Sequence, residues 1–166
     1  MTAPASETAS FGPAARAAAR LAAVQALYQM EMTGIGVEAV IAEFLINRIG
    51  HAIDGDEYIG ADANLFADLL RGVVAGQDEV DGLIIPALSG EWPLHRIDST
   101  LRAIMRAAVF ELTHRHDIPA KVILSEYLDI AHAFFSGSEP GFANAVLDTI
   151  ARKARPGAFA ADVRQH

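Results

Sequence analysis

Two arginines near the start of the chain, Arg16 and Arg20, are spaced four residues apart, which places both on one face of a helix. Guanidinium groups at this spacing can hold the phosphates of a polyanion. Three more bases, Arg152, Lys153 and Arg155, lie near the other end of the sequence. If both ends fold onto one face, the chain presents a local basic patch, although a charged helix face is more often simply solvated.

The segment between these two groups of bases is strongly acidic. Residues 31–91 contain twelve acids and two bases and carry −10, so the +2 of the remainder gives the net charge of −8. Sequence-independent binding of nucleic acid relies on many phosphate contacts and is typical of basic domains, whereas this chain has a pI near 5.1. Any nucleic-acid binding is therefore expected to be local, specific or assisted by a partner.

Length and composition restrict the class of protein. A chain of 166 residues with 52% hydrophobic content suits one domain with a buried core. The absence of cysteine excludes disulfides, thiol catalysis and Cys-ligated metal sites. No apolar run approaches the roughly 20 residues that a membrane helix needs. We expect a soluble, cytoplasmic protein.

Other candidate sites fail on spacing. A calcium loop starting at residue 54 would need Gly and Glu where the chain has Ile59 and Leu65. His114 and His116, two residues apart, point to different sides of a helix and suit a helix end better than a metal site. The Gly-Ile-Gly at 34–36 follows a predicted helix, not the strand of a dinucleotide site. We therefore predict no catalytic residue, no metal and no cofactor.

The spacing of apolar residues predicts helices throughout. One helix is expected from Ala14 to Thr33, with an apolar stripe that includes Tyr28, and others are expected over about 37–50, 62–88 with a break at Gly76, 98–114, 119–135 and 139–153. These elements predict an all-α fold, a compact bundle of six or seven helices. Residues 1–13 are expected to be a flexible leader, 14–155 the helical domain and 156–166 a flexible tail.

Three stretches together resemble one family. They are Ala-Ala-Arg at 14–16 with Ala-Val-Gln-Ala-Leu-Tyr-Gln at 23–29, Arg-Ala-Ala-Val-Phe-Glu-Leu at 106–112 with Asp-Ile-Pro-Ala-Lys-Val at 117–122, and Phe-Ala-Asn-Ala-Val-Leu-Asp at 142–148. In order and spacing they are similar to the opening helix, middle signature and closing helix of the NusB family of transcription antitermination factors. The resemblance covers about residues 14–155. It implies an RNA-binding domain of two stacked helical subdomains.

The resemblance also implies partners and a site. The partners are single-stranded boxA RNA of ribosomal RNA transcripts, ribosomal protein NusE and the RNA polymerase antitermination complex. The carried-over residues are Arg16, Arg20, Lys121, Phe142 and Asn144 at the RNA surface and Tyr28 at the protein partner. Arginines suit phosphates, an aromatic ring can stack on a base, and an amide both donates and accepts hydrogen bonds. Because Ala17 and Ala18 stand where many relatives continue an arginine cluster, we expect the chain to bind RNA weakly alone. NusE is then expected to complete the RNA site with its own surface.

Several alternatives remain open at this point. Phe142 and Tyr28 are also periodic with apolar neighbours and could pack in the core. Arg102 and Arg106 form either a second basic patch or, as we favour, a salt-bridging face toward Glu111 and its neighbours. The carboxylates at 78 and 81 are typical of a solvated helix face. The whole chain could instead be a helical interaction scaffold or homodimer without RNA function, or a module of the kind that RNA methyltransferases carry.

Overall fold

The computed structural model describes residues 12–49, 61–88, 90 and 92–159, with backbone only at residues 48 and 49. The segment from residue 54 considered as a calcium loop lies partly outside the described residues, as do nearly all of the leader and the tail from residue 160. Within these ranges the fold is all-α, as predicted, and has no strand. Its helices are α1 (Pro13–Thr33), α2 (Val37–Phe44), α3 (Ala63–Ala75), α4 (Gln77–Ala87), α5 (Ser99–His114), α6 (Ala120–Phe134) and α7 (Glu139–Ala154), with a π-helical turn at Leu45–Ile49 and a 3₁₀ turn at Leu94–Arg96.

The chain divides into two compact units, Met1–Arg71 and Gly72–His166, and the boundary falls within α3. In the first unit, Gly34 ends α1 with a φ of +75°, a conformation that favours glycine, and its N–H donates to the carbonyl of Met30 at 2.8 Å. The chain then turns back so that α2 packs on α1, where the amide of Gln29 donates to Glu43 at 2.9 Å. The short helix α2 is thereby fixed against α1, the longest of the described helices.

The small residues of α1, and not its large apolar ones, form its buried side. That side consists of Ala15, Ala19, Ala23, Val24 and Ala26. Leu21, Tyr28 and Met32 are exposed on the opposite side. The interpretation of Tyr28 as a core residue is therefore wrong, because alanines permit close packing of helix backbones while contributing little to an apolar pattern.

In the second unit, α5 is the central helix. Eleven of its sixteen residues are buried, because α4, α6 and α7 pack around it. Asp98 caps its start, since one carboxylate oxygen accepts the N–H groups of Thr100 at 2.8 Å and Leu101 at 3.2 Å. None of the described helices combines the length and the apolar character needed to cross a bilayer.

The described fold continues past the expected start of the tail. Residues 156–159 form a helical turn after α7, and Phe159 within it is buried. The guanidinium of Arg152 lies 4.7 Å above the centre of the Phe159 ring, a cation–π contact. This contact holds the turn at residues 156–159 against α7.

Candidate nucleic-acid interface

The two arginines of α1 differ in their access to solvent. Arg16 is half-buried, whereas Arg20 is only 2% exposed. Both take part in interactions within the protein. A phosphate can reach the guanidinium of Arg16 at the surface, but it cannot reach that of Arg20 unless the protein rearranges. The structure therefore leaves Arg16 partly accessible to a ligand and buries the charge of Arg20.

Tyr28 lies on an exposed apolar stripe of α1. Leu21, Tyr28 and Met32 are separated by seven and four residues, so they share one side of the helix, and they are 36%, 43% and 52% exposed. Large apolar residues repeated on one exposed side of a helix are typical of a surface that meets another protein. Sequence analysis found Tyr28 but did not identify Leu21 and Met32 as its exposed neighbours.

Phe142 and Asn144 lie near the start of α7, and both are half-buried. At 3.6 residues per turn, two positions separated by two residues point about 200° apart around the helix axis. The side chains therefore flank the buried stripe of α7 from opposite sides and face different groups of any ligand. Phe142 can stack on a base while Asn144 hydrogen-bonds elsewhere.

Lys121 is exposed in the first turn of α6, at the opposite end of the helix pair from Phe142. Residues 135–138 connect α6 directly to α7, and Arg155, just after α7, donates to the carbonyl of Ile118, just before α6, at 2.6 Å. The two helices are thus antiparallel, so the end of α7 lies beside the start of α6. From Phe142 to Arg155 the helix rises about 20 Å. The structure does not bring Lys121 and Phe142 together.

Arg155, expected from the sequence as part of a possible basic patch, instead binds carbonyls within the protein. Its guanidinium donates to four carbonyls at the end of α5 and in the connector to α6, those of Leu112 at 2.8 Å, Glu111 at 3.0 Å, Arg115 at 2.7 Å and Ile118 at 2.6 Å. Burial lowers the pKa of Arg155, while neighbouring carboxylates oppose that effect. A base near the end of a helix commonly binds the last carbonyls of that same helix. The sequence does not reveal that Arg155 instead binds carbonyls of α5 and of the connector to α6.

Arg102 and Arg106 do not form a second basic patch. Arg106 makes a two-pronged ion pair with Asp81, at 2.8 and 2.9 Å, and the Asp81 side chain is only 18% exposed. Arg102 is buried and donates to the carbonyls of Leu94 at 3.2 Å and Ile97 at 2.6 Å. A salt-bridging face is thus confirmed for Arg106, but its partner is Asp81. The interpretation of residue 81 as solvated is wrong.

Glu111 lies in the core instead of on that face. It is fully buried on α5, and the hydroxyl of Tyr127 donates to its carboxylate at 2.5 Å. A buried carboxylate requires such hydrogen bonds because its desolvation is costly. Glu111 therefore connects α5 to α6 and is not available to a ligand.

The histidines at the end of α5 have local partners. A ring nitrogen of His116 lies 3.0 Å from the carbonyl of Thr113, as expected for a histidine at a helix end. His114 stacks on Phe110, with ring centroids 4.9 Å apart. Across the described ranges, no three His, Asp or Glu side chains are grouped as metal ligands would be.

Comparison with known proteins identifies relatives over most of the chain. A model of the NusB family matches residues 17–152. A protein named transcription antitermination protein NusB from Nitrobacter hamburgensis is 55% identical over 145 residues, which are 87% of this chain and 91% of the relative. Its namesake from Allorhizobium ampelinum is 54% identical over 140 residues, 84% of this chain and 88% of the relative.

Solved structures are similar in fold. T. maritima NusB superposes with a TM-score of 0.70 at 28% identity, covering 87% of this chain and 96% of that one. A structure described as antitermination factors NusB and NusE in complex with dsRNA gives a TM-score of 0.70 at 21% identity, covering 86% and 99%. At that identity the second likeness concerns the fold alone.

Proposed function

The chain belongs to the NusB family, and from this premise we propose that it is an antitermination protein that binds boxA RNA of ribosomal RNA transcripts together with NusE. The observation that carries the proposal is the 55% identity to a named antitermination protein over 87% of the chain. The family consists of RNA-binding proteins without enzymatic activity. The setting we propose is the RNA polymerase antitermination complex in the cytoplasm.

The proposed RNA contacts differ in chemistry. Arg16 and Lys121 bind phosphates, Phe142 stacks on an unpaired base, and Asn144 hydrogen-bonds to a base edge or a ribose. Burial supports a positioning role for Arg20, which holds α1 so that Arg16 faces the RNA. This set contains few cations for an RNA-binding protein, so it supports weak binding by the chain alone.

The proposed NusE surface is the exposed stripe of Leu21, Tyr28 and Met32 on α1. Its support is the exposure of three large apolar side chains on one side of a helix whose buried side is filled by alanines. NusE seated on this stripe would bring its own surface to the complex with RNA. Binding of the two partners is then mutually reinforcing, as linkage requires.

The experiment is fluorescence anisotropy with a short boxA-like RNA and a scrambled control, each with and without NusE, at two salt concentrations. We expect preference for the boxA-like RNA and tighter binding when NusE is present. Equal affinity for both RNAs, or no binding by demonstrably folded protein in any combination, would overturn the proposal.

Variants locate the site in the same assay. Phe142→Ala removes the stacking ring and is expected to weaken binding by roughly 1–3 kcal/mol. Arg16→Gln should reduce the slope of log affinity against log salt by about 0.7, the value for one phosphate contact on a single strand. Arg71→Gln is the matched control, because it removes the same charge from an exposed pair with Glu38 and should leave the slope unchanged.

A homodimer is the second candidate, and the exposed stripe is what favours it. Two copies could cover Leu21, Tyr28 and Met32 with the same surface, as a two-fold interface requires. Size-exclusion chromatography with light scattering shows whether the stripe binds NusE or a second copy of the chain. A stable dimer that NusE fails to dissociate would support the scaffold without RNA function.

A further inference from the structure

One exposed face of α7 runs along nearly the whole helix. Phe142, Ala145, Thr149 and Lys153 follow one another at spacings of three, four and four residues, so their side chains share that face. The last three are exposed and Phe142 is half-buried. The face thus begins with an aromatic ring, continues over two small side chains, and ends with a cation.

Lys153, the cation at the end of this face, differs from the preceding residue, Arg152, in its interactions. Arg152 donates to Asp148 at 2.9 Å and covers the ring of Phe159, so its guanidinium is already engaged. Lys153 is exposed and has no ion-pair partner among the described residues. An ammonium group on a flexible stem, without a carboxylate beside it, is suited to bind a phosphate.

Lys153 also lies at the same end of the helix pair as Lys121. The hydrogen bond from Arg155 to the carbonyl of Ile118 places the end of α7 beside the start of α6. The chain's two lysines are therefore at one end of this antiparallel pair, and Phe142 is at the other. Eleven residues separate Phe142 from Lys153, which corresponds to about 16 Å along the axis.

We propose that Lys153 is a further RNA contact, and that a single RNA strand follows the exposed face of α7 from a base stacked on Phe142 to phosphates held by Lys153 and Lys121. The small side chains of Ala145 and Thr149 leave room for the strand between the two ends. This inference rests on the proposed function and adds to it the path of the strand and a contact residue.

The test compares Lys153→Gln with the unaltered protein in the anisotropy assay with NusE present. We expect binding roughly two- to fivefold weaker, the range for one exposed ion pair, and a salt slope smaller by about 0.7. Lys153→Arg should restore both values, since it returns the charge. Arg71→Gln is the control for net charge, and it should change neither.

RNA length provides an independent readout. Shortening the RNA nucleotide by nucleotide from one end should abolish the difference between Lys153→Gln and the unaltered protein, while the loss caused by Phe142→Ala persists. Shortening from the other end should not have that effect. A general electrostatic influence of Lys153 would instead survive shortening from either end, and that result would overturn the inference.

The outcomes separate the inference from the function on which it rests. If the unaltered protein does not prefer the boxA-like RNA, the proposed function fails. If it does, and Phe142→Ala weakens binding while Lys153→Gln keeps both the affinity and the slope, the inference alone fails.

Discussion

Arg155 fixes the junction of three helices in the second unit through one side chain. Its guanidinium donates to carbonyls at the end of α5 and in the connector, of which those of Glu111 and Arg115 also accept backbone N–H groups. We expect Arg155→Met to lower the free energy of unfolding by about 2–4 kcal/mol, because four part-buried carbonyls each lose a charged donor. Lysine donates from a single point, so Arg155→Lys should recover only part of this loss. Urea denaturation measures both, and a wild-type midpoint for Arg155→Met would contradict the assigned role.

Asp117 makes stability depend on acid pH. The guanidinium of Arg115 donates to both of its oxygens, at 3.1 and 3.0 Å, and holds the pKa of Asp117 below its ordinary 3.8. A carboxylate with a lowered pKa stabilises the fold above its unfolded pKa, and the effect disappears as pH falls through the folded pKa. We expect the urea midpoint of Asp117→Asn to lie slightly below that of the wild type above about pH 5, with the gap closing below pH 4. A gap that is independent of pH would show that the ionised form is not responsible.

At the scale of elements, the close packing of α3 on α5 depends on one glycine. A Cβ added to Gly72 would lie 2.1 Å from the ring of Phe110, far inside van der Waals contact. Alanine favours a helix over glycine by about 1 kcal/mol, yet we expect Gly72→Ala to be net destabilising because overpacking costs about 1–3 kcal/mol. Thermal unfolding of Gly72→Ala, Phe110→Leu and the double variant tests this. The double variant should be more stable than the sum of the single effects predicts, and strict additivity would contradict the clash.

Helix positions and ends were predictable because their determinants are local. Asp62 and Asp98 accept N–H groups of the first turns that follow them, and Gly34 and Gly76 separate helices, as the sequence indicates. The side of α1 that is buried was not predictable in the same way. Its alanines carry little apolar weight, so the stripe that includes Tyr28 dominated the prediction although Tyr28 faces solvent.

The tertiary partners of charged residues could also not be predicted from the sequence. Arg106 pairs with Asp81, twenty-five residues away, and Arg155 binds carbonyls about forty residues away. No periodicity encodes such distances, because they depend on how helices pack. The residues of the candidate site came from family resemblance, and the fold added that Arg20 is buried and that Lys121 and Phe142 lie at opposite ends of a helix pair.

At the scale of the whole molecule, the net charge of −8 limits how the chain can bind RNA. Part of its basic charge is already engaged within the fold, as Arg71 with Glu38 and Arg106 with Asp81 illustrate. The proposed phosphate contacts are Arg16, Lys121 and Lys153. A protein with so few contacts relies on base stacking and on its partner more than on a general attraction to RNA.

Three phosphate contacts on a single strand predict the salt dependence of binding without NusE. Each contributes about −0.7, so the slope of log affinity against log salt should be about −2 for the chain alone. Anisotropy titrations across a series of salt concentrations measure it directly. In the proposed complex NusE brings its own surface to the RNA, so its addition should raise affinity and make the slope steeper if it contributes cations. A slope of −4 or steeper for the isolated protein would mean that residues beyond these three bind phosphates, and the proposed path along α7 would then be incomplete.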